Sequence, residues 1–348
     1  MQRDVQNRVG GDIPREQSVR EQMPGFWGRI DDPLGIAWRI RNAAKRFSLQ
    51  LGLRFAYGLI NPPKYERPIF IIGAPRSGTT MLFLLLGASS QFVNLGGEGH
   101  DMWRRYHHPR WHGWRSDAVG KGQIGLGERR FINAYLYAHV GLGRFLEKTP
   151  CNSLRIPYLL ELFPDAQFVV IKRNPCDVIN SLINGWRDPK GRFRNYYVPK
   201  KLAIEGYDSS SCWCFTLIEG WRYLTTSTVP EIAFEQWRQF VEQLTAAKTL
   251  VPPGQWIEVW FEDILADPER ASSALFDAIG VQDEPALSQR LRKLMDNPAN
   301  ALSAPEEEKW RKQNPQEIQA LLPRIAALAQ RAGYRVDAES GTCSPHRD

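Results

Sequence analysis

Apolar positions in residues 36–59 recur every three or four residues. The recurring positions are Ile36, Ile40, Ala44, Phe47, Leu51 and Phe55. This period predicts an amphipathic helix. We expect it to end at Asn61-Pro-Pro-Lys64, because proline cannot continue a helix. Residues 1–30 are polar and interrupted by Gly and Pro, so they predict a flexible N-terminal arm.

The polar face of this helix is basic. Its basic residues are Arg39, Arg41, Lys45, Arg46 and Arg54. The sequence contains no acidic residue between Asp32 and Glu66. We therefore predict a basic amphipathic helical extension over residues 31–65. Two locations stay open for it, because such a helix either packs on the domain with its basic face in water or lies on an anionic membrane surface.

From residue 66 onward, short apolar runs alternate with helical patterns. Strands are predicted at 68–73, 91–95, 144–147, 167–172 and 256–261. Helices are predicted near 78–89, 126–139, 152–163, from 174, and at 209–227 and 234–249. This alternation predicts an α/β fold of three layers, with a central, mostly parallel sheet and helices on both faces. We expect one domain over 66–335, with an aromatic-rich insertion at 99–125 and a disordered tail at 336–348.

Charge and cysteine usage narrow the partners and the location. The net charge of +7 favours anionic partners, but the positive charge is spread along the chain without an RNA-type motif, which argues against nucleic acid. An odd, scattered set of cysteines fits a reducing cytoplasm better than a secreted disulfide scaffold. The longest apolar run, Met81–Ala88, is too short to span a bilayer. We expect a cytoplasmic protein, with peripheral contact to the inner face of a membrane as the open alternative. The oligomeric state is left open.

The segment Gly73-Ala-Pro-Arg-Ser-Gly-Thr-Thr80 has the spacing of a phosphate-binding loop between a strand and a helix. Its glycines allow backbone N–H groups to surround an anion. The position of the lysine in nucleotide triphosphatases is Thr79 here, and the cation lies inside the loop as Arg76. The strand at 167–172 is followed by Arg173 rather than by an aspartate for magnesium. These differences disfavour γ-phosphoryl transfer, although a P-loop kinase using ATP stays an alternative, as does a non-catalytic nucleotide-binding protein.

Two motifs resemble those of sulfotransferases that use 3′-phosphoadenylyl sulfate. Pro75-Arg-Ser-Gly-Thr-Thr80 is similar to the family's 5′-phosphosulfate loop, and Lys172-Arg-Asn-Pro-Cys-Asp-Val-Ile-Asn-Ser181 is similar to its 3′-phosphate motif. The resemblance covers roughly residues 66–335 and is strongest to the tyrosylprotein and bacterial branches. It implies a P-loop fold and a 3′-phosphoadenylyl sulfate co-substrate. The residues implied to bind this nucleotide are Pro75, Arg76, Ser77, Gly78, Thr79, Thr80, Arg173 and Ser181.

The resemblance also implies catalytic residues. Glu98, in Gly96-Gly-Glu-Gly-His100, resembles the general base of those branches, and His100 is the second candidate because cytosolic members use a histidine. We expect Trp103, Trp111 and Trp114 to raise the proton affinity of this carboxylate by making its surroundings apolar. Lys148, in Glu147-Lys-Thr-Pro150, resembles a lysine that contacts the transferring sulfonate, and Arg76 would share that task.

Weaker similarities lie near the C-terminus. Ser303 corresponds loosely to a serine that reaches the sulfonate in some relatives, and a helix-capping role is the alternative. Trp310 belongs to a Lys-Trp element common in bacterial relatives, where it either covers the nucleotide or packs in the core. We predict no metal, because the histidines near residue 110 lack a completing carboxylate or cysteine. The acceptor hydroxyl is expected on a lipid-like or carbohydrate small molecule.

Overall fold

The computed structural model describes residues 49–282, 284–296 and 306–346. The strands in this part of the chain are β1 (Ile69–Ile72), β2 (Phe92–Val93), β3 (Arg144–Glu147), β4 (Gln167–Lys172), β5 (Arg194–Tyr197), β6 (Cys212–Cys214), β7 (Trp256–Trp260), β8 (Tyr334–Val336) and β9 (Cys343–Pro345). The helices are α1 (Leu49–Ile60), α2 (Thr79–Leu86), α3 (His100–His107), α4 (Glu128–Val140), α5 (Ile156–Leu162), α6 (Pro175–Trp186), α7 (Val229–Lys248), α8 (Phe261–Ala266), α9 (Pro268–Ile279), α10 (Pro285–Asp296), α11 (Trp310–Gln313) and α12 (Pro315–Ala329).

Five strands form a central parallel sheet in the order β2-β3-β1-β4-β7. Side chains of a strand alternate between the two faces of its sheet. Ile71 of β1 and Ile171 of β4 pack with α2, α8, α9 and α10 on one face, whereas Phe70 and Phe168 pack with α3, α4 and α5 on the other. Burial on both faces explains the continuous apolar runs of β1 and β4. The predicted α/β fold with covered faces is confirmed.

A third hydrophobic cluster lies beside the sheet and holds the C-terminal helices. It joins α6, α7 and α12 with the antiparallel pair β5-β6, and its buried side chains include Trp186, Trp213 and Trp221. The indoles of Trp186 and Trp213 meet edge to face, with ring centroids 5.0 Å apart. Many of the tryptophans therefore stabilise this core.

Two predicted segments, the helix at 209–227 and the tail, differ from the structure. The helix predicted at 209–227 is instead strand β6 followed by a 3₁₀ turn at Trp221–Leu224, because the buried Cys212–Cys214 pairs with β5. The insertion at 99–125 begins with α3 and a 3₁₀ turn. Within the tail predicted as disordered, Val336 and Cys343–Pro345 complete the hairpin β8-β9, whose turn is closed by hydrogen bonds to the Asp337 carboxylate.

Helix α1 is the described half of the predicted basic helix, and residues 36–48 lie outside the described residues. It ends before Asn61, as expected from the prolines that follow. Phe55 packs edge to face on Phe131 of α4, and Arg54 Nη2 donates to the carbonyl of Tyr137 at 2.8 Å. No helix in the described ranges is long and apolar enough to cross a membrane.

Candidate active site

The carboxyl ends of four adjacent strands lead to the predicted site residues. In the sheet order β2, β3, β1, β4, these are Glu98, Lys148, the loop Gly73–Thr80 and Arg173. Neighbouring strands pair in parallel, so their carboxyl ends share one edge of the sheet. Ligands of parallel α/β sheets bind at this edge. The fold therefore gathers on one edge residues that are separated by up to 100 positions in sequence.

The loop after β1 passes too close to neighbouring groups for side chains at its glycines. A Cβ at Gly73 would lie 2.7 Å from the carbonyl oxygen of Ile171, and one at Gly78 would lie 2.8 Å from Cδ2 of Phe261. Gly78 also has φ +105, which favours glycine. The Ser153 hydroxyl anchors the loop, accepting from Gly73 N at 3.0 Å. The free N–H groups at the start of α2 follow directly, as in a phosphate-binding loop.

The phosphate loop and the proposed 3′-phosphate motif meet through Arg76. Arg76 Nε donates to Ser181 Oγ at 3.1 Å, and its guanidinium lies 4.7 Å from the centre of the Phe193 ring. Arg173 Nη1 donates to the carbonyl of Arg76 at 3.1 Å, and its guanidinium lies over Phe261. The geometry therefore brings together Arg76, Arg173 and Ser181, which the sequence analysis assigned to one nucleotide.

Lys309 is a further cation beside Arg76 and Arg173, and it was not among the site residues predicted from the sequence. The segment that carries it is attached to α6, because the Asp177 carboxylate accepts from the backbone N–H groups of Glu308 and Trp310 at 2.8 and 3.2 Å. Asn314 Nδ2 donates to Asn180 Oδ1 at 2.6 Å. The only sequence signal for Lys309 was its place in the Lys-Trp element.

The pKa values of these three cations are lowered. Burial, followed by repulsion from Arg173, lowers the pKa of Arg76 to about 10. Burial is also the largest cause that lowers the pKa of Arg173. For Lys309, burial and then Arg173 lower the pKa. Cations crowded in this way are stabilised by an anion, so the residues fit a phosphate-bearing ligand.

Trp310 and Ser303 were also predicted near the nucleotide. The side chain of Trp310 is buried at 2% exposure in the core, against Leu322 and the β8-β9 turn at Gly341. It therefore packs in the core, which is one of the two alternatives for this residue. Ser303 lies outside the described residues.

Glu98 bridges two of the other predicted catalytic residues, Lys148 and His100. Lys148 Nζ donates to Glu98 Oε1, and Glu98 Oε2 lies 2.7 Å from His100 Nε2. The Lys148 side chain is 4% exposed, whereas that of Glu98 is 34% exposed. The carboxylate therefore reaches solvent from a buried ion pair, which leaves it accessible to a bound acceptor.

The surroundings of Glu98 are not the apolar ones that were expected to raise its pKa. Burial acts to raise the pKa of Glu98, but the Lys148 ammonium and the His100 ring outweigh it and hold this pKa well below its usual range. Burial and Arg104 lower the pKa of His100, which favours the neutral imidazole. Of the expected apolar neighbours, Trp103 directs its indole N–H to Glu147 at 3.0 Å, and Trp111 is 63% exposed.

The histidines of the insertion have protein partners. His107 Nε2 lies 3.0 Å from Glu128 Oε2, and the rings of His107 and His112 stack with centroids 5.7 Å apart. His112 Nε2 lies 3.1 Å from the Tyr106 carbonyl. The described residues contain no group of three or more His, Cys, Asp or Glu side chains arranged to hold a metal.

The fold and the loop define a P-loop protein of the parallel α/β class. Thr79 stands at the position of the usual lysine, and Arg76 and Arg173 lie beside the loop. Residues 68–214 match a model of the sulfotransferase family, and this range contains the loop, Glu98, Lys148, Arg173 and Ser181. This part of the chain is similar to the sulfotransferase family.

Individual relatives lie in the tyrosylprotein and bacterial branches. A Caenorhabditis briggsae protein named "Putative protein-tyrosine sulfotransferase" is 24% identical over 229 residues, which cover 63% of this chain and 67% of that protein. The omega-hydroxy-beta-dihydromenaquinone-9 sulfotransferase Stf3 of Mycobacterium bovis is 26% identical over 153 residues, covering 44% of this chain and 33% of Stf3. The chain thus spans only part of these relatives' lengths.

A solved structure shows the same fold. The sulfotransferase STF9 of Mycobacterium avium superimposes with a TM-score of 0.50 and 15% identity, covering 81% of each chain. At this identity the likeness concerns the fold alone.

Proposed function

We propose that this protein transfers a sulfuryl group from 3′-phosphoadenylyl sulfate to an acceptor hydroxyl. The observation that carries the proposal is the meeting of Arg76, Arg173 and Ser181 beside a phosphate loop that lacks the triphosphatase lysine. The loop N–H groups would hold the 5′-phosphosulfate, and Arg173 with Ser181 would hold the 3′-phosphate. Lys309 adds positive charge to the same place.

The reaction is a direct in-line displacement. The acceptor oxygen attacks sulfur while Glu98 takes its proton. A new oxygen–sulfur bond forms, the bond from sulfur to the bridging oxygen breaks, and its electrons stay on the 5′-phosphate. Arg76 and Lys148 stabilise the negative charge that develops there. No covalent intermediate with the enzyme and no metal is required by this scheme.

Lys148 has to exchange partners for this reaction. In the structure its ammonium is hydrogen-bonded to the Glu98 carboxylate. A donor sulfonate would attract the ammonium away from the carboxylate, and loss of that partner would raise the pKa of Glu98 and make it a stronger base. In this scheme Glu98 is the base, and His100 orients it through their hydrogen bond.

The acceptor is proposed to be a lipid-like or carbohydrate molecule. Trp111 is 63% exposed and His108 packs between Trp114 and Tyr196, so aromatic surface is available on the insertion. Aromatic faces suit an isoprenoid chain as well as a sugar ring. One relative is named for a hydroxylated menaquinone, which supports a lipid acceptor.

We also propose a cytoplasmic enzyme that contacts the inner face of a membrane through residues 36–59. The described half of this segment exposes Leu53, Tyr57 and Ile60, which recur at helical spacing on α1. The basic sequence before them would favour anionic lipid.

The decisive experiment combines binding and transfer. The full chain is titrated with adenosine 3′,5′-bisphosphate by calorimetry and then assayed with radiolabelled donor against a lipid extract and a sugar panel. Glu98→Gln should lower transfer by about 10²-fold or more, since general-base catalysis is worth that much, while bisphosphate binding persists. Absence of bisphosphate binding by the folded protein, or magnesium-dependent ATP turnover in its place, would overturn the proposal. Binding without transfer to any acceptor would favour the non-catalytic alternative.

A further inference from the structure

Glu147 is a buried carboxylate that the proposed reaction does not use. It is the last residue of β3, it precedes Lys148, and it is only 2% exposed. Burying a carboxylate is costly unless its oxygens are hydrogen-bonded. The hydrogen-bond donors around Glu147 therefore indicate which parts of the fold it holds in place.

Both oxygens of Glu147 accept hydrogen bonds from different parts of the fold. Oε1 accepts from Trp103 Nε1 of α3 at 3.0 Å and from the Thr149 hydroxyl. Oε2 accepts from the backbone N–H of Thr149 at 3.1 Å and from Asn152 Nδ2 at 2.7 Å. These contacts fix the chain on both sides of Lys148 and connect it to α3.

The loop that carries Glu98 is attached to the same carboxylate. Gly99 N donates to Thr149 Oγ1 at 2.8 Å, and Thr149 Oγ1 in turn donates to Glu147. A Cβ at Gly99 would lie 3.3 Å from Glu147 Oε1 and 3.0 Å from Trp103 Nε1, so the loop lies close against this cluster. Glu98 directly precedes Gly99, and Lys148 directly precedes Thr149. The backbone N–H groups of Gly99 and Thr149 are both held by this network.

We propose that Glu147, through Thr149, is a positioning residue that sets the distance between the base Glu98 and the sulfonate-binding Lys148. This inference rests on the proposed function, because it takes the roles of Glu98 and Lys148 from it. Glu147 touches neither donor nor acceptor. Its effect passes through the backbone at Gly99 and at Thr149.

The substitution Glu147→Gln tests the network with almost no change in volume. An amide has one oxygen, so its NH₂ group must face either Trp103 Nε1–H or the backbone N–H of Thr149, and neither donor can reverse. The resulting shift should lower kcat by about 10-fold to 100-fold, since small misplacements of catalytic groups have effects of that size. The affinity for adenosine 3′,5′-bisphosphate should change little, because the phosphate loop and Arg173 lie on other strands.

Glu128→Gln is the matched control. Glu128 is equally buried, at 1% exposure, and accepts from Tyr158 OH at 2.6 Å and from Gly125 N at 2.7 Å, away from Glu98 and Lys148. We expect it to lower the melting temperature as Glu147→Gln does but to leave kcat unchanged. The acid limb of the pH–rate profile should move to higher pH only in Glu147→Gln, because a looser Lys148 contact lowers the pKa of Glu98 less.

A second pair of variants decides the question if Glu147→Gln does not fold. Thr149→Val removes the bridging hydroxyl and should reproduce the loss of kcat, whereas Thr149→Ser keeps it and should restore near wild-type kcat. The proposed function fails if wild-type protein transfers no sulfuryl group or if Glu98→Gln stays fully active. With that function intact, kcat values of Glu147→Gln or Thr149→Val equal to those of their controls would overturn the positioning role alone.

Discussion

Lys148 connects the resting site with the proposed reaction, because the same ammonium that binds Glu98 is expected to bind the sulfonate. Its contact keeps the pKa of Glu98 below the usual range of a glutamate. A carboxyl group with a lowered pKa stays ionised as the pH falls. The free enzyme should therefore keep its base deprotonated well into acidic solution.

Replacing Lys148 should reverse this effect. In Lys148→Met the carboxylate of Glu98 loses its closest cation, so its pKa rises and the acid limb of kcat/KM moves to higher pH. Residual transfer, measured from acidic to neutral pH, checks the shift. The exposed lysine variant Lys64→Met should keep the wild-type profile, and an unmoved acid limb in Lys148→Met would contradict the assignment of Glu98 as the base.

Arg173 should contribute strongly to nucleotide affinity. Arg173→Ala removes a planar guanidinium from a charged phosphate and should weaken binding of adenosine 3′,5′-bisphosphate by about 1.5–3 kcal/mol, the range for hydrogen bonds to charged groups. Arg173→Lys keeps the positive charge but loses the planar pair of donors, so its affinity should lie between those of the wild type and Arg173→Ala. Calorimetry measures these affinities, with exposed Arg130→Ala as the control. Wild-type affinity in Arg173→Ala would show that this arginine only supports the carbonyl of Arg76.

Among the elements, the strands of the sheet were the best predicted from sequence. The limits of β3 and β4 match the predictions at 144–147 and 167–172, because a strand buried on both faces leaves a compact apolar run. Elements stabilised mainly by distant partners were predicted poorly. The short strand β6 exists through its pairing with β5, and the hairpin β8-β9 packs on Trp310. Neither has a local pattern strong enough to identify it.

The exposed apolar side chains of helix α1 predict binding to a membrane surface. Its exposed residues Leu53 and Ile60, at 62% and 76% exposure, are available to insert between headgroups. The full chain should sediment with phosphatidylglycerol-containing vesicles but weakly with phosphatidylcholine vesicles. The double variant Leu53→Gln, Ile60→Gln should bind less, and Leu250→Gln, which alters an equally exposed leucine after α7, should bind normally. Equal binding by both variants would contradict contact through α1.

At the scale of the whole molecule, the proposed active site depends on the order of the strands. Placing β1 between β3 and β4 puts Lys148 and Arg173 on opposite sides of the phosphate loop. The C-terminal segment then returns over α6, where Asp177 and Asn180 hold it and bring Lys309 to the arginines. The proposed nucleotide site is therefore assembled from four separate stretches of chain.

The sequence by itself determined the phosphate loop, the two arginines and the α/β class. These features are encoded by contiguous residues: a glycine-bounded loop between a strand and a helix, and apolar runs of fixed period. Only the tertiary structure decided that Lys148 pairs with Glu98, that Trp310 is buried, and that Glu147 joins the chain around both proposed catalytic residues. Each of these depends on contacts between distant segments, and the pKa of Glu98 in particular is set by an ammonium 50 residues away.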